Sequence, residues 1–125
     1  MGVDAGLFAK KSKRYFWFDR KDNIRAYWNM ESFEEWKKME TIYGRLTDSK
    51  EGVSAEELLP FLKTNIKCWE KADEDQRYNG EWIRHLIKFV KANPDDRFFV
   101  ITDHDSDWPD ILDDYEEVSI EELSK

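Results

Sequence analysis

Residues 97–102 read Arg-Phe-Phe-Val-Ile-Thr, four consecutive apolar side chains bounded by a charge before them and a run of aspartates after them. A continuous apolar run of this length suits a strand covered on both faces, whereas a half-exposed strand would alternate. Upstream, Trp82, Ile83, Leu86, Ile87 and Val90 form an apolar stripe at helical spacing from Glu81, and Asn93 with Pro94 ends it. A helix therefore delivers the chain into this strand.

The other strands lie near the start. In residues 3–9, Val3, Ala5 and Leu7 alternate with Asp4, Gly6 and Phe8, and residues 14–20, RYFWFDR, follow a polar turn at Lys11–Lys13. That pattern predicts a β-hairpin. Beyond residues 21–23, Ile24, Ala26 and Trp28 alternate with Arg25 and Tyr27, which predicts a third, shorter strand. Two helices come next. Ser32 with Glu35 makes a capping box ahead of Phe33, Trp36, Met39 and Tyr43, and Ser54 with Glu57 makes another ahead of Leu58, Phe61, Leu62, Ile66 and Trp69. Pro60 lies too deep for a first-turn proline and predicts a kink or break. The segment 115–120 reads as an edge strand or a helical turn, and VSIEEL at 118–123 nearly repeats VSAEEL at 53–58. The expectation is an α+β fold: a small, mostly antiparallel sheet, made of the hairpin or a three-strand meander plus the strand near 97–102, with about three helices packed on it.

With 125 residues the chain is sized for a single domain, 1–125, whose 15% aromatic content argues against disorder. It has no apolar run of membrane-spanning length and no secretory leader at its start, and its single cysteine, Cys68, cannot form an internal disulfide. A cytoplasmic location follows as an expectation. No cofactor motif is present, and no oligomeric state can be read.

Charge is divided unevenly. Residues 103–125 carry ten Asp or Glu against one Lys, whereas residues 10–25 carry seven Lys or Arg against Asp19 and Asp22. Because a steering field survives only if opposite charges are kept apart, the basic hairpin, Lys10–Lys21, and the acidic tail are expected on different faces.

The acidic segment holds the candidate chemistry. Asp103, Asp105 and Asp107 have the spacing of the first three calcium ligands of a twelve-residue loop, with Asp114 at its last position. Trp108 stands where that loop requires glycine, so a solvated turn is the simpler explanation. An enzymatic alternative, a small metal-dependent hydrolase or nuclease, would set Asp103 beside Asp4 on neighbouring strand ends with His104 as base or ligand. It lacks any supporting motif. His85, beside the third helix's stripe, and Cys68 have ordinary structural explanations. Lys10–Arg14, interleaved with aromatics, looks superficially like a nucleic-acid surface, but the acidity of the chain opposes a polyanion.

The favoured expectation is a non-enzymatic protein that binds a basic surface on another protein, such as a nucleic-acid-binding protein. Asp105, Asp107, Asp110, Asp113 and Asp114 would form a charged rim around an aromatic anchor, Trp108. Direct nucleic-acid binding and membrane association are not expected. In size, charge and aromatic content the chain is similar to small acidic inhibitors, including immunity proteins and phage-encoded anti-defence factors that imitate nucleic acid. No single motif carries that likeness.

Overall fold

A computed structural model describes residues 4–18, 24, 32–48, 51–71, 81–105 and 108–123, the last range without the side chain of Trp108. The elements run β1 (Ala5–Ala9), β2 (Arg14–Phe18), α1 (Phe33–Asp48), β3 (Val53–Ser54), α2 (Ala55–Glu70), α3 (Glu81–Ala92), β4 (Arg97–Thr102), α4 (Trp108–Asp114), β5 (Glu116–Glu117) and α5 (Ile120–Leu123). The strands form one sheet in the order β3-β4-β1-β2-β5. Pairing is antiparallel except between β2 and β5, so the sheet is mixed. The third strand expected from Ile24 lies outside the described residues, apart from Ile24 itself, which is buried.

Strand alternation divides the interior into two unequal parts. Ala5, Leu7 and Ala9 of β1, Phe16 and Phe18 of β2, and Phe98 and Val100 of β4 point into the main core with α1, α2 and α3. Phe8, Phe99 and Ile101 point the other way, into a small aromatic cluster completed by Tyr15, Ile111, Leu112 and Tyr115. Phe8 stacks on Tyr15 and Phe99, with Tyr115 edge-on to it. The unbroken apolar run of β4 thus has its cause, because both faces are covered. The cover on the second face is α4, so the helices do not all lie on one side.

The three large helices follow their sequence signals. The backbone N–H of Glu35 donates to the Ser32 hydroxyl at 3.3 Å, and that of Glu57 to the Ser54 hydroxyl at 3.2 Å. In α1, Met39, Tyr43 and Leu46 are buried, but Phe33 is 71% exposed and stacks on Trp36. The first turn of α1 therefore projects beyond the core. Pro60 does not divide α2, which is continuous over Ala55–Glu70. Buried Leu58 on one side and Phe61, Leu62 and Trp69 on the other fix both halves to the same core, and packing outweighs the lost hydrogen bond. In α3, Ile83, Leu86, Phe89 and Val90 are buried as expected.

The ambiguity at 115–120 resolves in favour of both alternatives. Glu116–Glu117 is an edge strand, and Ser119 then caps α5 by accepting from the N–H of Glu122 at 3.2 Å. The two VSxEEL segments act as one local device used twice. Each buries its valine, Val53 or Val118, at a sheet edge, and each uses its serine to start a helix. At 53–54 the valine and serine are themselves the strand, whereas Val118 and Ser119 stand between β5 and α5.

Two connections lock the hairpin end of the sheet. Asp96, 5% exposed, accepts the backbone N–H groups of Lys11 at 2.6 Å, Ser12 at 2.9 Å and Arg97 at 2.9 Å. Burial alone would raise the Asp96 carboxyl. These N–H donors and the Ser12 hydroxyl outweigh burial and hold it below the usual carboxylate range. Arg97 in turn donates to the carbonyls of Glu51 and Gly52, each at 2.9 Å, and ties β3 to β4.

Candidate functional site

The acidic segment leaves the sheet at the end of β4. Here the carboxylate of Asp105 turns back on the strand: Oδ2 accepts from the Thr102 N–H at 2.7 Å and from the Thr102 hydroxyl at 3.2 Å. The N–H of Asp105 donates to the Thr102 carbonyl at 3.1 Å. A side chain and a peptide group together occupy the donor and acceptor that a further strand would take, which closes this end of β4. Asp105 is thus committed to the fold and is only secondarily a rim charge. Asp105→Ala is expected to lower stability by about 1–2 kcal/mol, with Asp105→Asn closer to the native protein because it keeps an acceptor oxygen. Equal urea midpoints for Asp105→Ala and the native protein would remove this assignment.

The N–H of Asp103 donates to the Asp4 carbonyl at 3.1 Å, so the two residues do meet at neighbouring strand ends. They meet through backbone. His104, with its side chain 73% exposed, sits 3.6 Å from the Asp103 carboxylate. Among the described residues, no group of three or more His, Cys, Asp or Glu side chains is placed to hold a metal ion. One concavity that the described residues form lies elsewhere, a groove of about 720 Å³ between α1 and α2. Met39, Ile42, Pro60 and Phe61 line it, and Lys38, Arg45, Glu35 and Glu57 edge it. None of Asp4, Asp103 and His104 reaches it. In the calcium-loop alternative, Asp107 lies outside the described residues, Asp105 is turned back on Thr102, and Asp114 closes a helix.

The rest of the rim is carried by α4. Ile111 and Leu112 face the aromatic cluster, while Asp110, Asp113 and Asp114 are exposed. Their spacing sets the three carboxylates on one side of the helix, opposite the two anchors. Asp113 and Asp114 occupy the last turn, which holds no basic residue, so both stand at the negative end of the helix dipole. Among the described residues no ion pair reaches these three. The helix tolerates charges that a stability criterion alone would have placed elsewhere. Trp108 opens α4, but its side chain and all of Asp107 lie outside the described residues.

The expectation that the basic hairpin and the acidic tail occupy different faces is wrong for the tail's second half. β5 lies in parallel register beside Arg14 and Tyr15. The Arg14 guanidinium bonds Glu122 at 2.6 Å, and the Lys13 ammonium lies 4.9 Å from the centre of the Tyr115 ring. Opposite charges of this density attract, and the chain is long enough to let them meet. Arg14 thereby compensates Glu122, whereas Asp110, Asp113 and Asp114 of the first half stay exposed on α4.

The remaining candidates have structural roles. His85 packs on Phe16 and Trp82; burial, reinforced by Lys88 and opposed by Glu81, holds its pKa below the usual imidazole value. Burial raises the Cys68 thiol, partly offset by Lys71, which disfavours the thiolate. Sequence reasoning missed Asp96, whose partners Lys11 and Ser12 lie 85 and 84 positions away.

Compared with known proteins, the chain matches no family model, no curated protein and no solved structure. No helix among the described residues is long and apolar enough to cross a membrane.

Proposed function

We propose that the chain is a non-enzymatic interaction protein of the cytoplasm that presents α4 to a basic surface on another protein. The class is an inhibitor of the immunity or phage anti-defence type, and the target surface is one that ordinarily binds nucleic-acid phosphates. One observation carries the reading: Asp110, Asp113 and Asp114 stand exposed on one side of a short helix, two of them against its dipole, without an ion pair among the described residues. Carboxylates fixed on a packed helix resemble a phosphate row in sign. They steer a basic partner from a distance that bulk salt limits to about 8 Å at physiological ionic strength.

The test compares the native protein with the variant Asp110→Asn, Asp113→Asn, Asp114→Asn as baits in the native host. Both should fold, since neutralising Asp113 and Asp114 in the last turn of α4 favours the helix and offsets the loss of the Asp110 charge from its first turn. The native bait is expected to hold a basic protein whose association slows about tenfold or more with the variant and loses its salt dependence. A captured set that is identical for the two baits would sink the proposal.

A further inference from the structure

The strap Tyr115–Leu123 is a bound ligand in all but covalent connection. Its contacts define what the edge of β2 recognises. The N–H of Glu116 donates to the Lys13 carbonyl at 2.9 Å, and the N–H of Val118 to the Tyr15 carbonyl at 2.7 Å, which is strand addition to a sheet edge. Val118 is 5% exposed and Leu123 packs against the main core, so two apolar side chains five positions apart are inserted. Around them the surface is basic, with Lys13 against Tyr115, Arg14 against Glu122, and Lys10 and Lys11 exposed in the adjoining turn.

From this we infer that the β2 edge beside Lys13 and Arg14 is a docking site for an acidic, strand-forming segment of a partner protein. The strap occupies that site in cis and yields it by exchange. The partner segment would resemble the strap: two acidic residues, an apolar residue to fill the Val118 site, and a second apolar residue five positions further on. Exchange has to displace the packed side chains of Tyr115, Val118 and Leu123, but the backbone hold of the strap is short. Its ladder covers two residues, its helix is a single turn, and the Arg14–Glu122 pair is exposed and screened by salt. The β1–β4 ladder, by contrast, spans five residue pairs in the middle of the sheet. A tethered strap still has the advantage of high effective concentration, so a free peptide competes only when the strap is loosened. This surface is separate from the acidic side of α4, and each proposal can fail without the other.

The test uses the full chain and a labelled peptide with the sequence of residues 115–123. In a Val118→Ala, Glu122→Gln protein, shown to be folded by circular dichroism, the peptide is expected to bind at least about tenfold more tightly than to the native protein. Adding Arg14→Glu should abolish that binding, and a scrambled peptide should show none. A folded, loosened protein that takes up the peptide no better than the native one, or takes up the scrambled peptide equally well, overturns the inference. Should the loosened protein fail to fold, hydrogen exchange on the native chain decides. The amides of Glu116 and Val118 are expected to exchange at least about tenfold faster than those of Phe8 and Phe99. Equal protection would mean that the strap never opens separately, and the inference falls.

Discussion

Gly52→Ala is expected to cost about 3 kcal/mol or more, a large part of the stability of a domain this size. Gly52 has φ +79°, in the left-handed region, immediately before β3. A Cβ added there would stand 2.6 Å from the Phe98 carbonyl oxygen and 3.0 Å from its carbon. Phe98 is backbone of a strand paired on both sides, so it cannot rotate away as a side chain could. Left-handed strain of about 1–2 kcal/mol therefore adds to an overlap of about 1–3 kcal/mol. Gly44→Ala serves as the opposite control. Among the described residues its Cβ would find only the Asp48 carboxylate, at 3.9 Å, in the interior of α1, so alanine should raise stability by up to about 1 kcal/mol. Urea denaturation of the two variants gives the comparison. Shifts of the same sign would show that the β3–β4 approach is looser than described.

Asp96→Ala should destabilise by about 3 kcal/mol, since one nearly buried carboxylate organises three backbone donors from two separate segments. Asp96→Asn should recover only part of this, because its amide turns a donor toward one of those N–H groups. The effect should also depend on pH in a defined direction. The folded-state pKa of Asp96 is depressed below its ordinary value of 3.8. Its contribution is therefore complete above that value and is lost as pH falls through the lower folded-state pKa. Stability curves of the native protein and Asp96→Ala should lie apart at neutral pH and converge in acid below about 3.8. A gap that is constant from pH 7 to pH 3 would mean that the charge of Asp96 contributes nothing.

What the sequence revealed and what it concealed follow from the range of the forces involved. β4 was legible because burial on two faces leaves a continuous apolar run, and α1 and α2 because Ser32–Glu35 and Ser54–Glu57 are complete within four residues. α4 was not legible, because Ile111 and Leu112 are too few to show periodicity among six aspartates, and only the aromatic cluster beneath them makes a helix worthwhile there. The Asp96 carboxylate meets its partners across most of the chain, and nothing local marks it. For the candidate site, the sequence located the charge in α4. It did not reveal that Asp105 would be turned back onto Thr102. The contact of the hairpin with the strap was implied by their opposite charges, and an argument from steering overrode that simpler attraction.

The position of β1 between β2 and β4 has a consequence for how the molecule comes into being. Among the described strands β1 comes first in chain order, and its hairpin with β2 can close early. Its second neighbour is supplied roughly ninety positions later, where Ala9 meets Phe98. Until then Phe8 has no Phe99 to lie against, and one side of β1 stays unpaired while α1, α2 and α3 are synthesised. The pairing of β1 on its second side is thus deferred until β4 has been made, and until then the nascent hairpin carries an exposed strand edge.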